Sequence, residues 1–226
     1  MKTSNPQPKT LEAPGANKGF WALIVTQFQG AFSDNLFKML VILYLPVMSG
    51  DIDLPITALA FLLFNIPFLL FPGFAGSLAD RLSKKTVTVM TKYLELAVMT
   101  MGLWGFLFYS PAITLFALFM MATQSALFSP AKYGILPEIL PENKLSWGNG
   151  ILQLGTFVAI IAGTAVAGPL LEVLGGKIYW TTIVLLGLSG FGLFASHAIT
   201  KPAPANPERK ISMNPWNGMG ESFKIF

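Results

Sequence analysis

The chain has 226 residues, of which 53% are hydrophobic and 12% charged, against about 25% charged in soluble domains; too few polar side chains remain to cover a water-facing surface. Its formal net charge of +4 comes from basic residues scattered between long apolar runs rather than gathered on one face, so nucleic acid is not an expected partner. With no cysteine, the single His197 and no G-x-x-x-x-G-K-[ST] loop, disulfides, thiolate chemistry, a multi-histidine metal centre and a nucleotide-hydrolysing site are excluded, and no cofactor, catalytic residue or enzymatic activity is assigned.

Residues 1–19 are polar, contain Pro6, Pro8 and Pro14, and read as a cytoplasmic tail. The apolar stretch after them is too long and too polar at its centre for a signal peptide and is expected to stay attached. A membrane-spanning helix needs ~20 mostly apolar residues, because a ~30 Å hydrocarbon core is crossed at ~1.5 Å per residue. Stretches of this kind run over 20–45, 55–78, 86–109, 111–136, 145–174 and 178–199. The fourth continues through Pro130 with an expected kink and an uncertain inner end. Backbone groups in lipid must be satisfied within the segment, so each span is expected to be helical. The fold class is therefore all-α: an integral membrane six-helix bundle over residues 20–199.

The last segment, 200–226, opens with K-P-A-P-A-N, a stiff extended linker. Beyond it Met213, Trp216, Met219, Phe223 and Phe226 fall at helical spacing and suit a surface-lying amphipathic segment. The end at Phe226 reads as a cut through a longer protein, with a short membrane-associated tail as the alternative.

Lysine and arginine placement orients the bundle. With the N-terminus inside, Lys2, Lys9, Lys18, Arg81, Lys84, Lys85, Lys132, Lys144, Lys201, Arg209, Lys210 and Lys224 are cytoplasmic, and only Lys177 falls in an outer loop. Trp21 and Trp147 then mark the inner interface, and Tyr44, Tyr109, Tyr179 and Trp180 the outer one. The expected location is a bacterial inner membrane with both termini cytoplasmic.

Charges inside the spans select the candidate pathway. Asp34 lies 14 residues into the first span, ~21 Å along the helix axis. A charge at that depth costs at least ~2.5 to 3.5 kcal/mol, so it should face a cavity or a partner. Gln27, Gly30, Ala31, Asp34 and Lys38 form one stripe at helical spacing, with Asn35 beside it. Lys38 either pairs with Asp34 one turn away or snorkels outward. In the third span Lys92 precedes Glu95 by three residues, close enough to the inner surface to snorkel, and the pair reads as structural. Asn65, Gln124 and Gln153 are candidates for polar lining or for ordinary interhelical hydrogen bonds.

The loop after the second span reads Gly76-Ser77-Leu78-Ala79-Asp80-Arg81-Leu82-Ser83-Lys84-Lys85. Its glycine permits close helix approach, and Asp80 and Arg81 can pair at the membrane exit. This string closely resembles the G-x-x-x-D-R-x-G-R-K signature between the second and third helices of the major facilitator superfamily, with Ser83 in place of the second glycine. The resemblance implies a gating role for Gly76, Asp80, Arg81, Lys84 and Lys85; a basic positive-inside turn is the plain alternative.

Ser129-Pro130-Ala131-Lys132-Tyr133-Gly134-Ile135-Leu136, Leu145-Ser146-Trp147-Gly148-Asn149-Gly150 and Gln27-Phe28-Gln29-Gly30-Ala31-Phe32-Ser33-Asp34-Asn35 are similar to segments of the lysophospholipid transporters of that superfamily. Such modules also occur fused to acyltransferase and acyl-ligase domains. The resemblance implies one half of a twelve-helix transporter that flips lysophospholipid across the inner membrane, with Lys132 contacting a phosphate head group. On the residues alone, Lys132 is equally a positive-inside anchor. Gly155, Gly163, Gly168 and Pro169 in the fifth span match the antiporter glycine-proline motif weakly, and close helix packing explains them as well.

The expected function is alternating-access transport of an amphipathic substrate, with Gln27, Asp34, Asn35, Lys38 and Lys132 along its path. The alternatives are a proton-coupled exporter using Asp34 as proton carrier, and a membrane anchor for a lipid acyltransferase. The expected partners are the bilayer, a lipid-like or small-molecule substrate, and a C-terminal six-helix half or a second copy.

Overall fold

The computed structural model describes residues 16–50 and 56–201, and regular structure among them is helical throughout. The helices are α1 (Ala16–Ser49), α2 (Ile56–Leu70), α3 (Pro72–Arg81), α4 (Lys84–Leu107), α5 (Pro111–Ile139), α6 (Leu145–Val173) and α7 (Ile178–His197), with one 3-10 turn at Glu142–Lys144. The N-terminal tail before residue 16 and the expected amphipathic segment after Lys201 lie outside the described residues.

Helix ends follow local chemistry. Ser110 precedes Pro111 and accepts the Ile113 amide at 3.4 Å, an N-cap followed by a proline at the first helical position. At the far end of α6, Gly175 and Gly176 have φ of +67° and +70°. Their amides bond back to Glu172 and Leu171 carbonyls, both at 2.9 Å, which closes the helix in a Schellman motif.

The expected second span is not one helix. It breaks at Phe71 into α2 and α3, bent by 49°. Pro72 has no N–H to continue the ladder and its fixed φ suits the start of a helix, so the chain restarts there. By contrast α5 runs unbroken to Ile139, through both Pro130 and Pro137. Among the described residues, four helices (α1, α5, α6 and α7) are long and apolar enough to cross a membrane, and the bent α2–α3 pair makes a fifth. The expected third span, α4, is less apolar than these, because its apolar stretch is interrupted by Lys92 and Glu95. Its 24 residues span ~36 Å, and its two central charges are buried inside the bundle, where lipid does not meet them.

Helix α1 packs on α5, α6, α7 and α2, while α4 lies between α5 and α7. Gly163 lets α6 approach α1 closely: a Cβ there would stand 2.5 Å from the Phe32 carbonyl oxygen. Gly168 has nothing within 4 Å, so packing accounts for only part of that glycine series.

Two apolar cores result, stacked along the bundle. One gathers Leu36, Phe37, Leu40, Met99, Phe106, Leu118 and Leu185; the other gathers Phe20, Leu23, Val87, Ile135, Leu136 and Leu152. Between them, α1, α4, α5 and α7 each turn polar: Gln27, Gln29, Ser33 and Asp34, then Lys92 and Glu95, then Gln124, then Ser189, all buried. Outward faces stay apolar, as Leu69, Phe157, Ile161 and Phe194 show. The aromatic residues sort by end. Phe20 joins Trp21 and Trp147 at one end, and Tyr44 meets Tyr109 at the other.

Candidate substrate cavity

Within the polar layer lies a partly open cavity of about 360 Å³. Helix α1 lines it with Gln27, Gly30, Ala31, Asp34, Asn35 and Lys38, so the stripe read from spacing does face inward together. Opposite stand Phe64 and Phe68 of α2, Gln124, Ser125, Phe128 and Lys132 of α5, and Thr156 and Ile160 of α6. Lys92 of α4 reaches the same wall.

Asp34 is held by α5. Gln124 Nε2 donates to one carboxylate oxygen at 3.3 Å, and the Ser125 hydroxyl donates to the other. Of the two arrangements open to Lys38, the pair with Asp34 does not form. Lys38 Nζ instead donates to Asn35 Oδ1 at 2.8 Å and lies 4.6 Å from the centre of the Phe64 ring, in cation–π contact. Asn35 in turn donates to the Ala31 carbonyl at 2.8 Å. Gln27 donates to Thr156 Oγ1 at 3.0 Å and ties α1 to α6. Lys132 lies 5.0 Å from the ring centre of Tyr133. Of the other candidate lining residues only Gln124 enters. Asn65 donates to the Phe61 carbonyl and Gln153 to the Tyr133 hydroxyl, both on exposed faces.

A second polar cluster sits behind this wall. Lys92 does not snorkel: it is 2% exposed and donates to Glu95 Oε2 at 2.6 Å and to Gln29 Oε1 at 2.7 Å. Glu95 Oε1 accepts from Gln29 Nε2 at 2.9 Å and from the Ser189 hydroxyl at 3.0 Å. Gln29 also donates to Ser33 at 2.8 Å. The pair joins α1, α4 and α7 rather than serving α4 alone.

At the bundle end that carries the α3–α4 turn, Lys84 pairs with Glu138 of α5, its aliphatic stem lying against Gly134, and Lys85 donates to the His197 carbonyl of α7 at 2.6 Å. Arg81 closes α3 and is exposed, beside Asp80. Gly76 has no close neighbour: nothing lies within 4 Å of a Cβ built on it, so the close helix approach expected there is absent.

Sequence reading missed Phe64, Phe68, Ser125, Thr156, Ser33 and Ser189. For Gln29 and Ser33 a signal existed, since residues four apart share a helix face and these two form a second polar stripe on α1. The others are single polar or aromatic residues in apolar spans, and only the packing selects them.

Among known proteins, the Major Facilitator Superfamily matches residues 28–222. The chain is 32% identical over 203 residues to the protein named lysophospholipid transporter LplT in Escherichia coli K12 / DH10B, in Escherichia coli O157:H7 and in Shigella boydii serotype 18, covering 84% of this chain and 45% of each relative. It therefore spans about half the length of the curated relatives it matches. With helices, polar layer and sequence match in agreement, the chain belongs to the major facilitator superfamily.

Proposed function

We propose that this chain is the N-terminal six-helix half of a lysophospholipid transporter that works by alternating access. The observation that carries the reading is the two-sided cavity. Gln124, Ser125, Asp34 and Lys132 give one region hydrogen-bonding groups and both signs of charge, suited to a head group, while Phe64, Phe68, Phe128 and Ile160 offer an apolar wall, suited to an acyl chain. The similarity to proteins named as lysophospholipid transporters supports the same substrate class.

A complete path needs a second wall, supplied by a matching C-terminal half or a second copy. In this reading both termini face the cytoplasm of an inner membrane, because the basic residues gather at the end bearing Arg81, Lys84, Lys85 and Lys144. A cysteine placed at Lys177 should then react with an impermeant reagent added outside, and one at Lys84 should not; labelling at Lys84 in intact cells would reverse the orientation.

The functional test is uptake of labelled lysophosphatidylethanolamine by cells lacking their own transporter. Co-expression of this chain with a C-terminal half should restore uptake, and a pH jump should leave the rate unchanged. Absence of uptake would reject the substrate class, and a strict dependence on the proton gradient would favour the exporter that uses Asp34 as proton carrier.

A further inference from the structure

The Lys92 ammonium has three N–H donors, and the described contacts use two of them, on Glu95 and Gln29. Its side chain is 2% exposed overall, yet it is part of the cavity wall. The opening is at Gly30. A Cβ on that residue would stand 2.8 Å from Lys92 Nζ, so the missing side chain is what lets the ammonium lie against the α1 backbone where that backbone lines the cavity. A buried cation with an unused donor beside a cavity is suited to an anionic oxygen, and charge-assisted hydrogen bonds are about twice as strong as neutral ones.

We propose that Lys92 is a substrate-binding residue that reaches the cavity through the gap at Gly30 and donates its third N–H to a phosphate oxygen of the ligand. Glu95 and Gln29 hold the ammonium in place while the cavity is empty. This assignment rests on the reading of the cavity as the site of a phosphate-bearing lysolipid. It also separates Lys92 from a purely structural partner of Glu95: a structural ion pair can be replaced by a neutral pair with little loss, whereas a ligand-binding cation cannot.

The test measures binding to the full chain in nanodiscs of two probes with the same acyl chain, lysophosphatidylglycerol and phosphate-free monoacylglycerol. The wild type should prefer the phosphate lipid. The double variant Lys92→Met with Glu95→Gln keeps the site uncharged, and residue 95 keeps an acceptor for Ser189 and Gln29. It should fold, lose about tenfold or more in affinity for lysophosphatidylglycerol, and keep its affinity for monoacylglycerol. Gly30→Ala leaves both charges in place and displaces only the flexible end of Lys92; it should weaken the phosphate lipid in the same sense. If the folded double variant binds lysophosphatidylglycerol as the wild type does, the role of Lys92 is overturned while the cavity reading stands. Should the double variant fail to fold, unchanged affinity in Gly30→Ala overturns it instead. A wild type that binds neither probe, or both equally, overturns the cavity reading and this assignment together.

Discussion

Helix α1 turns Gln29 and Ser33 toward α4 and α7, and Gln27, Asp34 and Lys38 toward the cavity bounded by α2, α5 and α6. The two sets lie at the same depth and use the same kinds of side chain. On the first side the two oxygens of Glu95 take three hydrogen bonds from Lys92, Gln29 and Ser189, so the carboxylate is well satisfied, while Lys92 keeps one N–H that these contacts do not use. On the second, Asp34 is met by neutral donors, Lys38 by an amide and an aromatic ring, and open volume remains. Since apolar burial gives helices no mutual attraction in lipid, satisfied polar clusters contribute to holding such bundles, and incompletely satisfied ones are available for ligands.

The contrast can be broken by single substitutions. The largest effect on stability is expected from Lys92→Met alone, which strands Glu95 without its cation in a dry interior and should cost ~3 to 5 kcal/mol, read as loss of folded protein in thermal unfolding. Retention of the wild-type melting temperature would show that the Lys92–Glu95 cluster is not what holds α4 to α1 and α7. Asp34→Asn should do the opposite. It removes a charge that has no ion-pair partner among the described residues, so folding should be kept or improved while transport is lost. Because Lys38 leans on Asn35 and Phe64 rather than on Asp34, adding Lys38→Met is not expected to be needed for folding. Wild-type transport by a well-inserted Asp34→Asn variant would remove Asp34 from the mechanism.

Smaller effects sharpen the same comparison away from the polar layer. Glu138→Gln removes the charge that pairs with buried Lys84 but leaves an amide oxygen to accept from it at a partly exposed position, and should cost ~1 kcal/mol, measured as a small shift in the unfolding midpoint. A loss as large as that for Lys92→Met would make this end of the bundle equally important to folding. Gly76→Ala is expected to be neutral or to stabilise by ~0.5 to 1 kcal/mol, because a helical glycine with open space around it gains from a methyl group. Marked destabilisation would mean that the glycine is needed in a second arrangement of the bundle.

Hydropathy and charge made most of this architecture readable in advance. The all-α bundle and, among the described residues, up to five membrane spans follow from apolar length, and the Asp34 stripe follows from 3.6-residue spacing plus the penalty on a buried charge. Proline was the weak point. Pro72 interrupts a span and Pro130 does not, although both lack the same N–H, so the missing donor alone does not decide whether a helix breaks. Partners across helices were not legible either. Lys38 had a carboxylate one turn away in sequence and took an amide and a ring instead, because α5 already supplies donors to Asp34. Gly76 fits a family motif, yet its surroundings are open; a motif constrains residue type and says nothing of the neighbour a single conformation places beside it.

The break at Phe71 divides the packing of this span. Phe64 and Phe68, the aromatic part of the cavity wall, belong to α2, which packs on α5. Helix α3 has its own seat on α5, with Ala75, Ser77 and Ala79 buried, and Pro72 removes the rung that would have tied its first amide to the Phe68 carbonyl. The two segments thus pack on α5 separately, and the backbone ladder linking the aromatic wall to the turn bearing Arg81, Lys84 and Lys85 lacks one rung.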